Sequence, residues 1–147
     1  MYRILEWNPQ LKNFESDIQL RMKRYEDTKE RLLGRSLTLD EFANGSAYFG
    51  IHRTDDGWVY REWAPGAHQM YLMGEFNQWN QTEYPMKRLE NGIWELYLPG
   101  KDALWDGCKI KAVVDANMQR TEHIPLYARR VVQDKETITW CAEVVDD

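Results

Sequence analysis

The chain has 147 residues, a net charge of −5 and 43% apolar residues. That is enough for one domain, or one domain plus an appendage, with a core that needs neither disulfides nor metal. The acidic balance argues against a nucleic-acid partner, and no apolar run approaches the roughly 20 residues that span a bilayer.

Charges of both signs are interspersed, as on a solvated surface. Seven Trp and eight Tyr point to a β core, a ligand platform, or both. Cys108 and Cys141 fall in separate predicted strands, with no CxxC and no His at metal spacing, so no zinc site and no other cofactor is expected. Two thiols fit a reducing cytoplasm, the expected location, with a single disulfide as the alternative. The N-terminus, MYRILEWNPQ, lacks a basic region followed by an apolar one, so no secretory leader is expected.

Residues 1–7 read as a short tail, and Asn8-Pro9 as a turn or helix start. From 16 to 33 the pattern is helical. Phe14, Ile18, Met22, Tyr25, Leu32 and Leu33 fall near one stripe, Ser16 or Asn13 is placed to cap the start, and Gly34 to end it. Thr38-Leu-Asp-Glu41 has capping-box spacing for a second short helix, closed by Asn44-Gly45. These two helices carry too little apolar surface to stand alone.

The period then changes to two. Strands are expected over 48–53, 58–63, 69–76, 86–89, 93–98, 109–115, 118–123 and 138–144. Turn signals separate them, among them Pro65-Gly66, Asn91-Gly92, Pro99-Gly100 and Asp115-Ala116-Asn117. Trp94, Leu96 and Leu98 share one face, as do Ile110, Ala112 and Val114, and also Ile138, Trp140, Ala142 and Val144. The expected fold is mainly β: an antiparallel, immunoglobulin-like β-sandwich over 46–147, preceded by a two-helix segment over 1–45.

The stretch WVYREWAPGAHQMYLMGEFNQWN, 58–80, organises this part. Trp58, Tyr60 and Glu62 alternate with Val59, Arg61 and Trp63. A Pro-Gly turn follows, then a second strand, then Asn77-Gln78-Trp79-Asn80. An indole among amides on a turn suits a sugar, whose C–H face stacks on the ring while its hydroxyls meet the amides. The alternative is a Trp folded back beneath its own turn.

REWAP at 61–65 followed by GEFNQWN at 74–80 resembles the family 48 carbohydrate-binding module, which precedes the catalytic barrel of glycogen and starch branching enzymes. YFGIHR at 48–53, NGIWELYLP at 91–99 and IPLYARRVVQD at 124–134 resemble the eukaryote-like branching-enzyme subfamily. The similarity runs in order from about residue 11 to the C-terminus, and the chain stops about where such a barrel would begin. The resemblance therefore implies the N-terminal piece of a longer enzyme, one that moves an α-1,4-glucan segment onto a 6-hydroxyl.

For this chain the resemblance implies an α-glucan partner and a supporting role for the missing barrel. Trp79 falls on the family's stacking Trp and Lys111 on its sugar-contacting Lys. Asn80 is a weaker candidate. Met118 stands where glycan-binding members carry a second aromatic, and a thioether is a smaller, softer surface. The loop 134–137 lacks the family's glycan-contacting Asn. One platform implies weak affinity, roughly −4 to −6 kcal/mol.

Catalysis is not expected of this chain. No local spacing supplies the paired carboxyls of glycoside chemistry, His52, His68 and His123 are apart in sequence, and there is no phosphate loop or GxSxG. The carboxylates read as lying on helix surfaces, in turns, or at outward strand positions such as Glu95 and Glu143. Pro125, Tyr127 and the Arg129-Arg130 pair lie between strands; the arginines suit ion pairing across a domain contact, with a phosphate or carboxylate site as the alternative. The rival reading is a packing or protein-interaction sandwich without glycan affinity.

Overall fold

A computed structural model describes residues 2–34 and 38–146; Met1 and Asp147, at the outer bounds of the two expected segments, and residues 35–37 lie outside them. The chain divides into two compact units, Met1–Gly45 and Ser46–Asp147.

In the first unit, Arg3–Trp7 is a short helix (α1) rather than a tail, and Pro9–Phe14 a 3-10 turn with Asn8 accepting from the Gln10 N–H. Helix α2, Glu15–Leu33, follows directly, so Phe14 occupies its N-cap and neither Ser16 nor Asn13 caps it. Gly34, at φ 57, ends it as expected. Phe14, Tyr25 and Leu32 on the expected apolar stripe are exposed. Helix α3, Leu39–Ala43, carries the full capping box: Thr38 Oγ1 accepts from Glu41 N–H, and Glu41 accepts from Thr38 N–H at 2.7 Å. Helix α4, Gly45–Tyr48, spans the boundary and displaces the start of the first expected strand.

The second unit is two antiparallel sheets. The first runs β1-β2-β5-β4, with β1 Gly50–Arg53, β2 Gly57–Trp63, β4 Lys87–Arg88 and β5 Ile93–Pro99. The second runs β3-β6-β9-β8, with β3 Gln69–Gly74, β6 Lys109–Ala116, β8 Arg130–Gln133 and β9 Trp140–Glu143; β7, Gln119–His123, also pairs with β6. Trp58, Tyr60, Trp94 and Leu98 from one sheet meet Met70, Leu72, Ile110 and Ala112 from the other, all nearly inaccessible. Burial of this aromatic and aliphatic surface dominates the stability of the unit. The indoles also find acceptors: Trp58 Nε1 donates to Lys101 O and Trp94 Nε1 to Ala64 O, each at 3.0 Å.

Two expectations give way here. Ala142 and Val144 are buried, but Ile138 and Trp140 on the same phase are 68% and 52% exposed. β9 pairs with β6 only at Lys109 and Ile110, and from Ala112 onward β7 takes that edge. β9 therefore peels away before Trp140. The second correction is β8, expected as a connection between strands. It is an edge strand whose residues are mostly exposed, so it lacks the alternation that marks a half-buried strand.

The segment before β8 is anchored from β2. Glu62, on the core-facing phase with Trp58 and Tyr60, is only 4% exposed, in contrast to the surface placement expected for the carboxylates. Its Oε2 accepts from Tyr60 Oη at 2.5 Å and from Leu126 N–H at 2.9 Å, while Oε1 has no partner. Phe49 stacks on Tyr127 at 5.8 Å. The arginine pair is used within this unit: Arg130 meets Glu143 and Asp106, and Arg129 donates to Val145 O.

Candidate functional site

The outer face of the second sheet, away from the core, carries the odd-numbered residues of β3 and β6: Met73 opposite Lys111, Tyr71 opposite Val113, Gln69 opposite Asp115. At the Met73–Lys111 end the chain leaves β3 at Gly74. A Cβ there would meet Lys109 O at 2.3 Å, so only glycine lets the loop start so close to β6. Glu75–Asn77 forms a 3-10 turn, and Gln78 and Trp79 follow in the left-handed region, at φ 52 and 62.

Asn77 builds this loop. It is 3% exposed, its Oδ1 accepts from Gly74 N–H at 3.0 Å, and its Nδ2 donates to Asn80 O at 2.9 Å. Its amide is thus spent inside the protein. Asn80 Oδ1 is also committed, to the Thr82 N–H and hydroxyl. The loop presents Trp79, 37% exposed, to a concavity of about 360 Å³.

Trp79 and Lys111 line that concavity together, with Glu122, Thr137 and Thr139. Lys111 Nζ lies 3.0 Å from Glu122 Oε2, and Gln81 Nε2 donates to Glu122 Oε1 at 2.9 Å. Glu122 thereby joins β6 to the loop that carries Trp79. On the far wall, Asp134 Oδ1 accepts from the Glu136 and Thr137 N–H groups and the Thr137 hydroxyl, which holds its carboxyl below the usual carboxylate range. Thr137 and Thr139 hydroxyls face each other at 2.8 Å. The lining therefore offers one aromatic plane, the ammoniums of Lys109 and Lys111, the carboxylates of Glu75, Glu122 and Asp134, and two hydroxyls, a set that exchanges hydrogen bonds with a polyol.

Asn80 and Met118 are not among the residues lining this concavity. Met118 stands fully exposed at the tip of the β6–β7 hairpin, where Asn117 and Met118 form a two-residue turn with φ 50 and 59. Sequence reasoning missed Glu122. Centring the turn one residue later, on Asn117-Met118, pairs Val113 with Glu122 and puts that carboxylate diagonal to Lys111.

Cys141 lies on the concavity wall whereas Cys108 belongs to the core between the sheets, and both are free thiols. Burial pushes the Cys108 thiol up to about 11. Among the described residues, no group of three or more His, Cys, Asp or Glu is placed to hold a metal, and no helix is long and apolar enough to cross a membrane.

Residues 48–130 match the family described as carbohydrate-binding module 48 (isoamylase N-terminal domain). The chain belongs to this family. The module is also similar to proteins named 1,4-alpha-glucan-branching enzyme. It is 37% identical to that of Felis catus over 144 residues, covering 94% of this chain and 21% of that enzyme. Against the Dictyostelium discoideum enzyme it is 37% identical over 139 residues, covering 91% and 20%. The chain thus spans about a fifth of the length of these curated relatives. Among solved structures, a pullulanase from Bacillus acidopullulyticus shares the fold, with a TM-score of 0.51 and 24% identity over 67% of this chain and 12% of that one.

Proposed function

We propose that the module binds α-1,4-glucan at the Trp79 concavity and serves a 1,4-α-glucan branching enzyme as a non-catalytic part. In that enzyme a barrel outside this chain transfers an α-1,4-glucan segment to a 6-hydroxyl. The observation that carries this reading is the pairing of an open indole with Lys111 in one concavity of a family 48 module. A pyranose face stacks on Trp79, and its hydroxyls meet the Lys111 ammonium, the Glu122 carboxylate and the threonine hydroxyls. Asn80 contributes from the rim, through the amide nitrogen, and Met118 touches only longer chains that reach the hairpin tip.

The other sheet favours a second role, support of the barrel. Trp63 on β2 is 54% exposed, with its Nε1 bonded to Asn91 O at 3.0 Å. Close by in the fold, Ile93, which pairs with Trp63, lines an open hollow of about 670 Å³ with Leu89 and Tyr48. An open indole beside a hollow that mixes Tyr48, Leu89 and Ile93 with Arg88, Glu90 and Asn91 suits a protein contact.

Native gel migration in glycogen tests the glucan reading. Wild type is retarded by the polysaccharide and Trp79→Ala is not. Equal migration of the two removes Trp79 as the site.

A further inference from the structure

The outer face continues past the Trp79 concavity in two further rows. Tyr71, Val113 and Glu122 lie side by side across β3, β6 and β7, and Gln69, Asp115 and Arg120 form the next row. Arg120 is held in a fixed pose. Its Nε and Nη2 donate to the two Asp115 carboxylate oxygens, each at 2.7 Å, and its guanidinium lies over the Tyr71 ring at 5.3 Å. Val113 is on the outward phase yet has no exposed surface, so neighbouring side chains roof it. Arg120 is exposed and Tyr71 half-buried, so together they form a ledge of guanidinium over phenol at the surface, with Glu122 in the adjoining row.

We propose that this Arg120–Tyr71 ledge is a second sugar subsite, and that the glucan runs from Trp79 over Glu122 along the β6–β7 hairpin. This rests on the glucan reading of the Trp79 concavity. A strand rise of about 3.4 Å per residue puts Asp115 roughly 14 Å from Lys111, farther than one pyranose reaches. The ledge therefore serves only chains of several glucose units. A guanidinium is well matched to such a contact, since its planar face takes the C–H side of a ring and its edge donates to hydroxyls. Because Asp115 and Tyr71 already fix its rotamers, contact with sugar orders little that is not ordered before binding. Arg120 thus sets the preferred chain length, while Trp79 and Lys111 hold one end.

The test is a calorimetric titration with maltotriose and with maltoheptaose, on wild type, Trp79→Ala, Arg120→Ala and Arg120→Lys. Wild type binds the heptaose more tightly than the triose. Arg120→Ala lowers affinity for the heptaose about fivefold and leaves the triose within about twofold. Arg120→Lys keeps the charge beside Asp115 but not the planar fork, and shares the loss. It also carries the test if the alanine variant does not fold. A role confined to hairpin stability shifts melting temperature without touching the difference between the two sugars. Equal heptaose affinity in wild type and both Arg120 variants, with Trp79→Ala inactive, overturns the ledge and leaves the Trp79 site standing. No saturable signal from wild type with either sugar overturns both.

Discussion

Glu122 on β7 stands 3.0 Å from Lys111 on β6, diagonal across the hairpin, and takes a second hydrogen bond from Gln81 in the Trp79 loop. The Lys111 side chain is only 13% exposed, so its ammonium has little freedom to point elsewhere. One carboxylate thereby sets the positions of the ammonium and of the loop bearing the indole. Glu122→Ala releases both. Glucan affinity falls about three- to tenfold, because ordering that is present beforehand in wild type must then accompany binding. Stability changes by less than about 1 kcal/mol, as for other partly exposed ion pairs. Titration with maltoheptaose beside urea unfolding measures the two quantities. Unchanged affinity in a folded variant shows that Glu122 positions nothing.

Asn77 makes a complementary case, in which the residue acts through the loop rather than on the sugar. Its two amide bonds close the Gly74–Asn80 turn from inside. Asn77→Ala leaves a buried N–H without an acceptor, which costs about 1–3 kcal/mol. Asn80→Ala removes two exposed bonds from Thr82, whose N–H and hydroxyl can turn to water instead, and costs less than about 1 kcal/mol. Urea unfolding of both variants checks the order. Equal losses would remove the distinction drawn between the two amides.

The two thiols differ in setting as well. Cys108 sits in the core with its thiol raised to about 11, and the thiolate is the reactive form. At pH 8 in native buffer a thiol reagent therefore leaves Cys108 unmodified, and in denaturant it reacts at the rate of an ordinary cysteine. Mass spectrometry of peptide digests reads the result residue by residue. Fast native labelling at Cys108 contradicts its place between the sheets.

Why some of this was legible in the chain and some not follows from particular residues. Trp94, Leu96 and Leu98 alternate in a strand covered on one face, so period two announces them. Trp79 and Lys111 came from motif resemblance, and the fold puts them in one concavity. Glu122 was hidden because a turn misplaced by one residue changes every cross-strand pair. Trp140 was misread because alternation continues through the point where β9 leaves β6. Glu62 shares its phase with Trp58 and Tyr60, which is itself the signal of an inward position. A carboxylate is buried there only because Tyr60 and Leu126 satisfy one of its oxygens.

That buried carboxyl makes the fold sensitive to pH in a defined direction. Burial raises the Glu62 carboxyl above its ordinary value of 4.5, and the bonds from Tyr60 and Leu126 only partly oppose this. Between 4.5 and the higher native value, the folded chain holds more protons at this site than the unfolded chain does. The contribution of Glu62 to stability is therefore fully present below the unfolded value and is lost as pH rises through the folded one. Other carboxyls, Asp115 and Asp134 among them, are held low by their partners and act in the opposite sense, so the total pH curve mixes both. The comparison that isolates the site is wild type against Glu62→Gln, which keeps an acceptor for the Leu126 N–H but does not ionise. As pH rises from 4 toward 7, wild type loses stability relative to the variant, on the order of 1 kcal/mol for each pH unit within the window. Chemical denaturation at each pH gives the difference directly. A gap that stays constant across the range, or that closes in wild type's favour as pH rises, means the carboxyl is not held above its ordinary value.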